Sequence, residues 1–400
     1  MNADLPPDPA WDVALWRGPG WIREAGLVTL PAQTWNSVRL VPLARDEPIE
    51  GLRLDRRAYD EPSIVDVGDR THYISYIPHA FVAHWEEDAA TASYGTRLLA
   101  RDDKGTGPSG MPIRVRRRMA RRLAGDRLRF LPLHLAVEGY LALHFGGPEI
   151  AWEEWSRRAL ASGLSPREER AYLGASVPDL ADALRIFEMH PGQCGVLVYV
   201  ADALAAAFVV PHPDDYRALH PTLVEDLFGE LIYQYGLLRL PVEDLVAPID
   251  ASAVRTLADL RAQAERRMRD WADFHDGVMA EEVFAPGSRF EDVRRISGAR
   301  LSRFLPPFTP GRPNHIGETI VVGEDEDARL AYLKTFRLSE KQVRRGYLLT
   351  RLAANGWRLA DTAAEFGVGE PAFALRLERA GFGHLLRQDV LDRYRAAARR

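Results

Sequence analysis

The stretch 358–382, RLADTAAEFGVGEPAFALRLERAGF, limits the possible folds more than any other segment. It holds a short helical pattern, a Gly-Val-Gly turn and a second short helical pattern. A longer amphipathic helix is predicted over 340–354, where Val343, Tyr347, Leu348 and Leu352 recur at helical spacing. Ser339 stands where a hydroxyl can cap the free N–H groups of that helix. Leu359, Ala363 and Phe366 are expected to pack the second helix, and Phe373, Leu377 and Phe382 the third. Gly367 and Gly369 permit the positive φ of a tight turn. The small Ala363 and Ala364 let the helices approach closely. Together these features outline a three-helix helix-turn-helix unit.

Upstream, strand patterns dominate. Segments 37–43 (SVRLVPL) and 51–54 alternate apolar and polar residues, as half-buried strands do. Segment 71–85 is β-branched and aromatic with Pro78 inside it, which predicts two strands. Three apolar segments follow at 183–188, 194–200 and 204–210. Asp202 suits a tight turn between the last two, so they read as a hairpin. A covering helix is expected over 216–235 and a long charged helix over 252–279. Residues 285–326, rich in Pro and Gly, are expected to be a linker with one or two short strands, and 325–338 a helix. Strands followed by covering helices define an α+β class. The expected fold is a β-rich N-terminal part, a central antiparallel sheet with covering helices, and the C-terminal three-helix unit. The expected boundaries are 1–127, 128–284, 285–338 and 339–400.

Charge is unevenly placed. The whole chain carries −5, yet residues 101–130 are net +7 and residues 341–400 net +6. Almost all the cations are arginine, lysine occurring only at 104, 334 and 341. Two basic segments on an acidic body suggest local anionic contacts without general polyanion binding. The run 114–122, with Arg116, Arg117 and Arg118, could track a phosphate backbone. A solvated helix face, or a patch clamped to the acidic body, is the favoured reading. Cys194 is the only cysteine, so an internal disulfide and a thiolate-rich zinc site are excluded; a buried, inert thiol is expected. No apolar run has bilayer length, and the first residues lack the pattern of a signal peptide. A cytoplasmic location without membrane contact is the expectation. His72, His79 and His84 share one β region, but the two-residue period sets His79 on the opposite face from the others. Core or surface histidines are expected there.

Val209 to Asp215 reads VVPHPDD. This resembles the signature of the PIG-L/LmbE-type zinc deacetylases, which implies His212 and Asp215 as zinc ligands and Asp214 as base. The sequence departs from that family: Tyr216 stands where a glutamate commonly follows, and the motif lies mid-chain. His220, His275, His315 and His384 are the candidates for a third ligand, and none sits in a His-rich pair. A helix start is favoured instead, with Pro213 in the first turn and Asp214 and Asp215 at its positive end.

Two further resemblances follow from quoted residues. The Asn355-Gly356 bend, the run from Ala363 to Val368 and the segment ALRLERAGF are similar to the helix-turn-helix of Fis-like bacterial regulators. That resemblance implies DNA contact through the third helix. The base-facing positions here are Glu370, Pro371, Ala372 and Ala374, which offer no donors to base edges. Arg376 and Arg379 remain outward, with Arg344, Arg345 and Arg358 nearby. Protein contact or dimerisation is therefore favoured over DNA contact. The blocks TWNSVRLVPL, HYISYIPHAFVAHW, EGYLALHFGGPEI and HPGQCGVLVYVADALAAAFVVPHPDDYRALHPTL, spread over 27–250, resemble the bacterial ARG and Rhodanese-Phosphatase-superfamily-associated Protein domain. This implies an α+β module of conflict or defence gene neighbourhoods, without a catalytic set to carry over. The leading expectation is a non-enzymatic adaptor or regulator without cofactor, contacting DNA or a protein through the C-terminal unit. A homodimer is also open. The alternative is a zinc-dependent amide hydrolase at the PHPDD segment.

Overall fold

The computed structural model describes residues 20–54, 189–223, 240–243, 248–279, 283–296, 298–323 and 327–398, with the backbone of six short strands between 63 and 130. The arginine run 114–122 and the predicted segment 183–188 lie outside the described residues. In chain order the elements are α1 (Trp21–Glu24), β1 (Val28–Thr29), β2 (Gln33–Trp35), β3 (Val38–Ala44), β4 (Leu52–Leu54), β5 (Ser63–Asp66), β6 (His72–Ser75), β7 (Val82–Glu86), β8 (Ala89–Ser93), β9 (Leu98–Ala100) and β10 (Arg129–Phe130). There follow β11 (Gln193–Val200), β12 (Ala203–Val209), α2 (Pro213–Leu223), α3 (Leu257–Phe274), β13 (Arg289–Ile296), β14 (Ala299–Leu305), β15 (His315–Val322) and β16 (Arg329–Arg337). The chain closes with α4 (Glu340–Ala354), α5 (Leu359–Glu365), α6 (Glu370–Leu377) and α7 (Gln388–Ala398).

The fold is α+β, built on a nine-stranded antiparallel sheet of order β1-β3-β11-β12-β16-β15-β14-β13, with β2 beside β1 on β3. The predicted hairpin is present: Ala201 and Asp202 both take positive φ, as a two-residue turn between twisted strands requires. Strand β3 departs from the half-buried expectation, all seven of its residues being buried. Arg39 tolerates this position because its guanidinium meets Asp202 Oδ1 at 2.9 Å and donates to the Glu243 carbonyl at 2.8 Å. His72 and His84 fall in β6 and β7, which belong to different small sheets.

Residues 289–337 differ most from expectation. They supply four strands of the main sheet, where the pattern predicts a linker and then a helix over 325–338. Their apolar side chains join the main core, and a ladder of charges crosses them. Glu291, Arg303, Glu318 and Lys334 are direct cross-strand neighbours on β13, β14, β15 and β16. Arg303 Nε lies 2.6 Å from Glu291, and Lys334 Nζ 3.3 Å from Glu318, which also accepts from the Tyr332 hydroxyl at 3.0 Å. Opposite charges set side by side on one sheet face stabilise the pairing. The ladder starts half-exposed at Glu291 and ends at Lys334, whose side chain is wholly buried. Burial pulls the Lys334 ammonium down to about 8, against the opposing pull of Glu318.

Helix α3 begins with a capping box between Thr256 and Asp259. Just past its end, His275 Nε2 meets the Tyr199 hydroxyl at 2.8 Å and Nδ1 meets Asp276 at 3.2 Å; Asp276 pairs with Arg23 at 2.9 Å. This chain of polar contacts fastens the end of α3 to the sheet and to α1. Cys194 is fully buried, and burial raises its thiol pKa although Arg45 Nε lies 3.3 Å from the sulfur.

Among the described residues, two apolar clusters form the interior. The larger spans strands β3, β11, β12, β14, β15 and β16, and the smaller joins Leu348, Leu349, Leu352, Ala363, Phe373, Leu377 and Phe382. Helix α4 belongs to both: Val343 lies in the first and Leu348 in the second. Gly346 sits where they meet, so close to Phe308 that an added Cβ would lie 2.2 Å from its ring.

Candidate interaction surface of the C-terminal unit

The C-terminal unit is made by local rules. Ser339 and Gln342 form a reciprocal capping box that starts α4. Gly367 takes φ +64° in the turn before α6, as expected. Gly369 does not need its freedom: at φ −70° it is the residue preceding α6. Phe373 and Leu377 face the small core, and Phe366 stacks on Phe373 with ring centres 5.2 Å apart.

A fourth helix, α7, follows the three expected ones and lies beside α6. Tyr394 donates to Glu370 at 2.5 Å, and Arg395 pairs with Glu378. Ala374 is fully buried. The side of α6 bearing positions 370, 374 and 378 is thus engaged within the unit. Its outer side carries Pro371, Ala372 and Arg376, with Arg379 just past its end, all exposed, next to the partly exposed Val368.

The five candidate arginines have different surroundings. Arg376 is exposed and lies over the Phe366 ring at 4.8 Å, which holds the side chain in place. Arg379 is exposed and makes no ion pair among the described residues. Arg345 is half-buried over Phe382 at 4.9 Å. Arg344 pairs with Glu340, and Arg358 with Asp361 at 2.9 Å. Arg376 and Arg379, three residues apart, share one outward side. Arg116, Arg117 and Arg118 lie outside the described residues.

The PHPDD segment starts helix α2, with Pro213 first and Asp214 and Asp215 in its first turn. The Asp214 N–H donates to His212 Nδ1 at 3.1 Å, and Asp214 pairs with Arg217. The Asp215 carboxylate is buried and held by Arg53 at 2.8 Å and by the Leu54 N–H at 3.3 Å. These contacts tie α2 to β4 and engage both carboxylates. Among the described residues, no three His, Cys, Asp or Glu side chains are grouped as metal ligands. His315 is buried away from that segment, its Nε2 3.2 Å from the Leu204 carbonyl. Burial, with Arg337 adding repulsion, holds its imidazole at about 4.

Fold and surface together describe an α+β protein that joins a large antiparallel sheet to a basic helical unit. The model of the ARPP-2 family, the ARG and Rhodanese-Phosphatase-superfamily-associated Proteins, matches residues 22–297, and the chain belongs to that family. No curated protein and no solved structure matched it. Among the described residues no helix is long and apolar enough to cross a membrane.

Proposed function

We propose that the chain is a non-enzymatic adaptor or regulator whose C-terminal unit, read as a helix-turn-helix, docks on an acidic surface of a protein partner. The outer side of α6, continued by Arg379 just past its end, carries this reading. It combines two exposed arginines with Pro371 and Ala372, side chains that fit against a protein surface and have no donor for a base edge. Glu370, at the start of α6, would repel phosphates if that end entered a major groove. Its hydroxyl partner on α7 also fixes α6 within the unit. A bacterial conflict or defence setting, implied by the family resemblance, belongs to the same reading.

The test compares the full chain with an R376E/R379E variant. Affinity capture from the native lysate is run beside a duplex-DNA shift assay at low salt. A protein retained by the wild type and lost on charge reversal is the expected result. A salt-dependent duplex shift that disappears in the variant replaces the protein reading with the DNA reading. Equal retention by both chains overturns the role of this surface.

A further inference from the structure

A cavity of about 230 Å³ opens where the sheet meets the C-terminal unit. Its lining comes from Gly311 and Arg312 in the loop between β14 and β15, Arg337 and Leu338 at the end of β16, and Glu340 and Val343 in α4. Two arginines and one carboxylate residue therefore contribute to its lining. That carboxylate, Glu340, pairs with Arg344 one turn along α4, which offsets its charge toward the cavity. Arg312 is exposed and makes no ion pair among the described residues.

The loop that presents Arg312 is held in shape from beneath. Asn314 is buried; its Oδ1 accepts from the Thr309 N–H at 3.1 Å. Its Nδ2 donates to the carbonyls of Thr309 at 2.9 Å and Arg312 at 2.7 Å. The Asn314 carbonyl accepts from the Leu338 N–H at 2.8 Å, linking the loop to the opposite wall. A fixed backbone carrying a free guanidinium lowers the ordering cost of binding. Guanidinium groups favour oxyanions because their fork of N–H donors matches the spacing of carboxylate or phosphate oxygens.

We propose that this cavity binds a small oxyanion, a phosphate or carboxylate group, between Arg312 and Arg337. The proposal stands apart from the α6 surface and does not depend on it. Such a ligand would touch the sheet loop, the end of β16 and α4 at once, so its binding would hold the C-terminal unit against the sheet.

The experiment titrates the full chain with inorganic phosphate and, separately, with succinate, by calorimetry at constant ionic strength set with chloride. Saturable one-to-one binding by at least one probe is expected, with affinity falling about tenfold or more in Arg312→Ala. Arg312→Glu should abolish binding, and Arg387→Ala, at an exposed arginine just before α7, should leave it unchanged. Saturation by phosphate alone assigns a phosphate ligand, and by succinate alone a carboxylate. Because Arg312 is exposed and unpaired, its variants should fold, which circular dichroism verifies. The absence of saturation by either probe, or equal affinity in Arg312→Ala, overturns the proposal.

Discussion

Tyr394, on the last helix, donates its hydroxyl to the carboxylate of Glu370, the first residue of α6. One contact thus joins the end of the unit to the start of the helix that carries the outward Arg376. It also explains how a glutamate can occupy that position: its charge has a partner inside the unit.

Tyr394→Phe removes this bond and leaves the ring. The hydrogen bond is partly exposed, so the cost is modest. A fall in melting temperature of about 2–4 °C is expected, with faster amide exchange confined to α6 and α7. Unchanged exchange in both helices would show that α7 is held by other contacts.

Gly346→Ala tests the junction of the two cores. In an exposed helix interior this change stabilises by about 0.5–1 kcal/mol. Here the new methyl meets the Phe308 ring, and overpacking should destabilise the chain by about 1–3 kcal/mol. Chemical denaturation measures the sign. Phe308→Leu combined with Gly346→Ala should recover part of the loss.

His315 makes stability depend on pH. Its folded-state pKa of about 4 lies below the unfolded value of 6.5. Between those limits the unfolded chain binds a proton that the folded chain does not. Stability is therefore complete above pH 6.5 and is lost as pH falls toward 4, by roughly 3 kcal/mol in all. His315→Gln keeps a donor for the Leu204 carbonyl and should flatten the denaturation midpoint across that window. An equal slope in the variant would assign the loss to other groups.

Lys334→Met strips Glu318 of a buried partner and should cost about 3 kcal/mol. Adding Glu318→Gln keeps an acceptor for Tyr332 and removes the uncompensated charge. The double variant should regain much of the loss in a double-mutant cycle. Purely additive costs would mean that the two side chains do not couple.

Features governed by neighbours in sequence were legible. Ser339 caps a helix, Asp202 turns a hairpin, and Pro213 with two aspartates starts α2. The strands of 289–337 were not, because Glu291, Arg303, Glu318 and Lys334 read as solvated charges until the partner strand is known. The role of Asp215 was hidden for the same reason, its arginine lying 162 positions earlier. At the candidate surface the turn and the outward arginines were readable from spacing. The α7 contact and the Arg312–Arg337 cavity were not, since each joins segments distant in the chain.

The double allegiance of α4 has a consequence for how such proteins can be rearranged. A helix rooted at one end beside Phe308 and at the other beside Phe373 cannot be cut at its first residue without leaving a hollow in the sheet. The C-terminal unit is thus not a detachable cassette. Any graft onto another scaffold has to bring the Phe308 loop along, and a chain trimmed at residue 338 should expose a greasy scar.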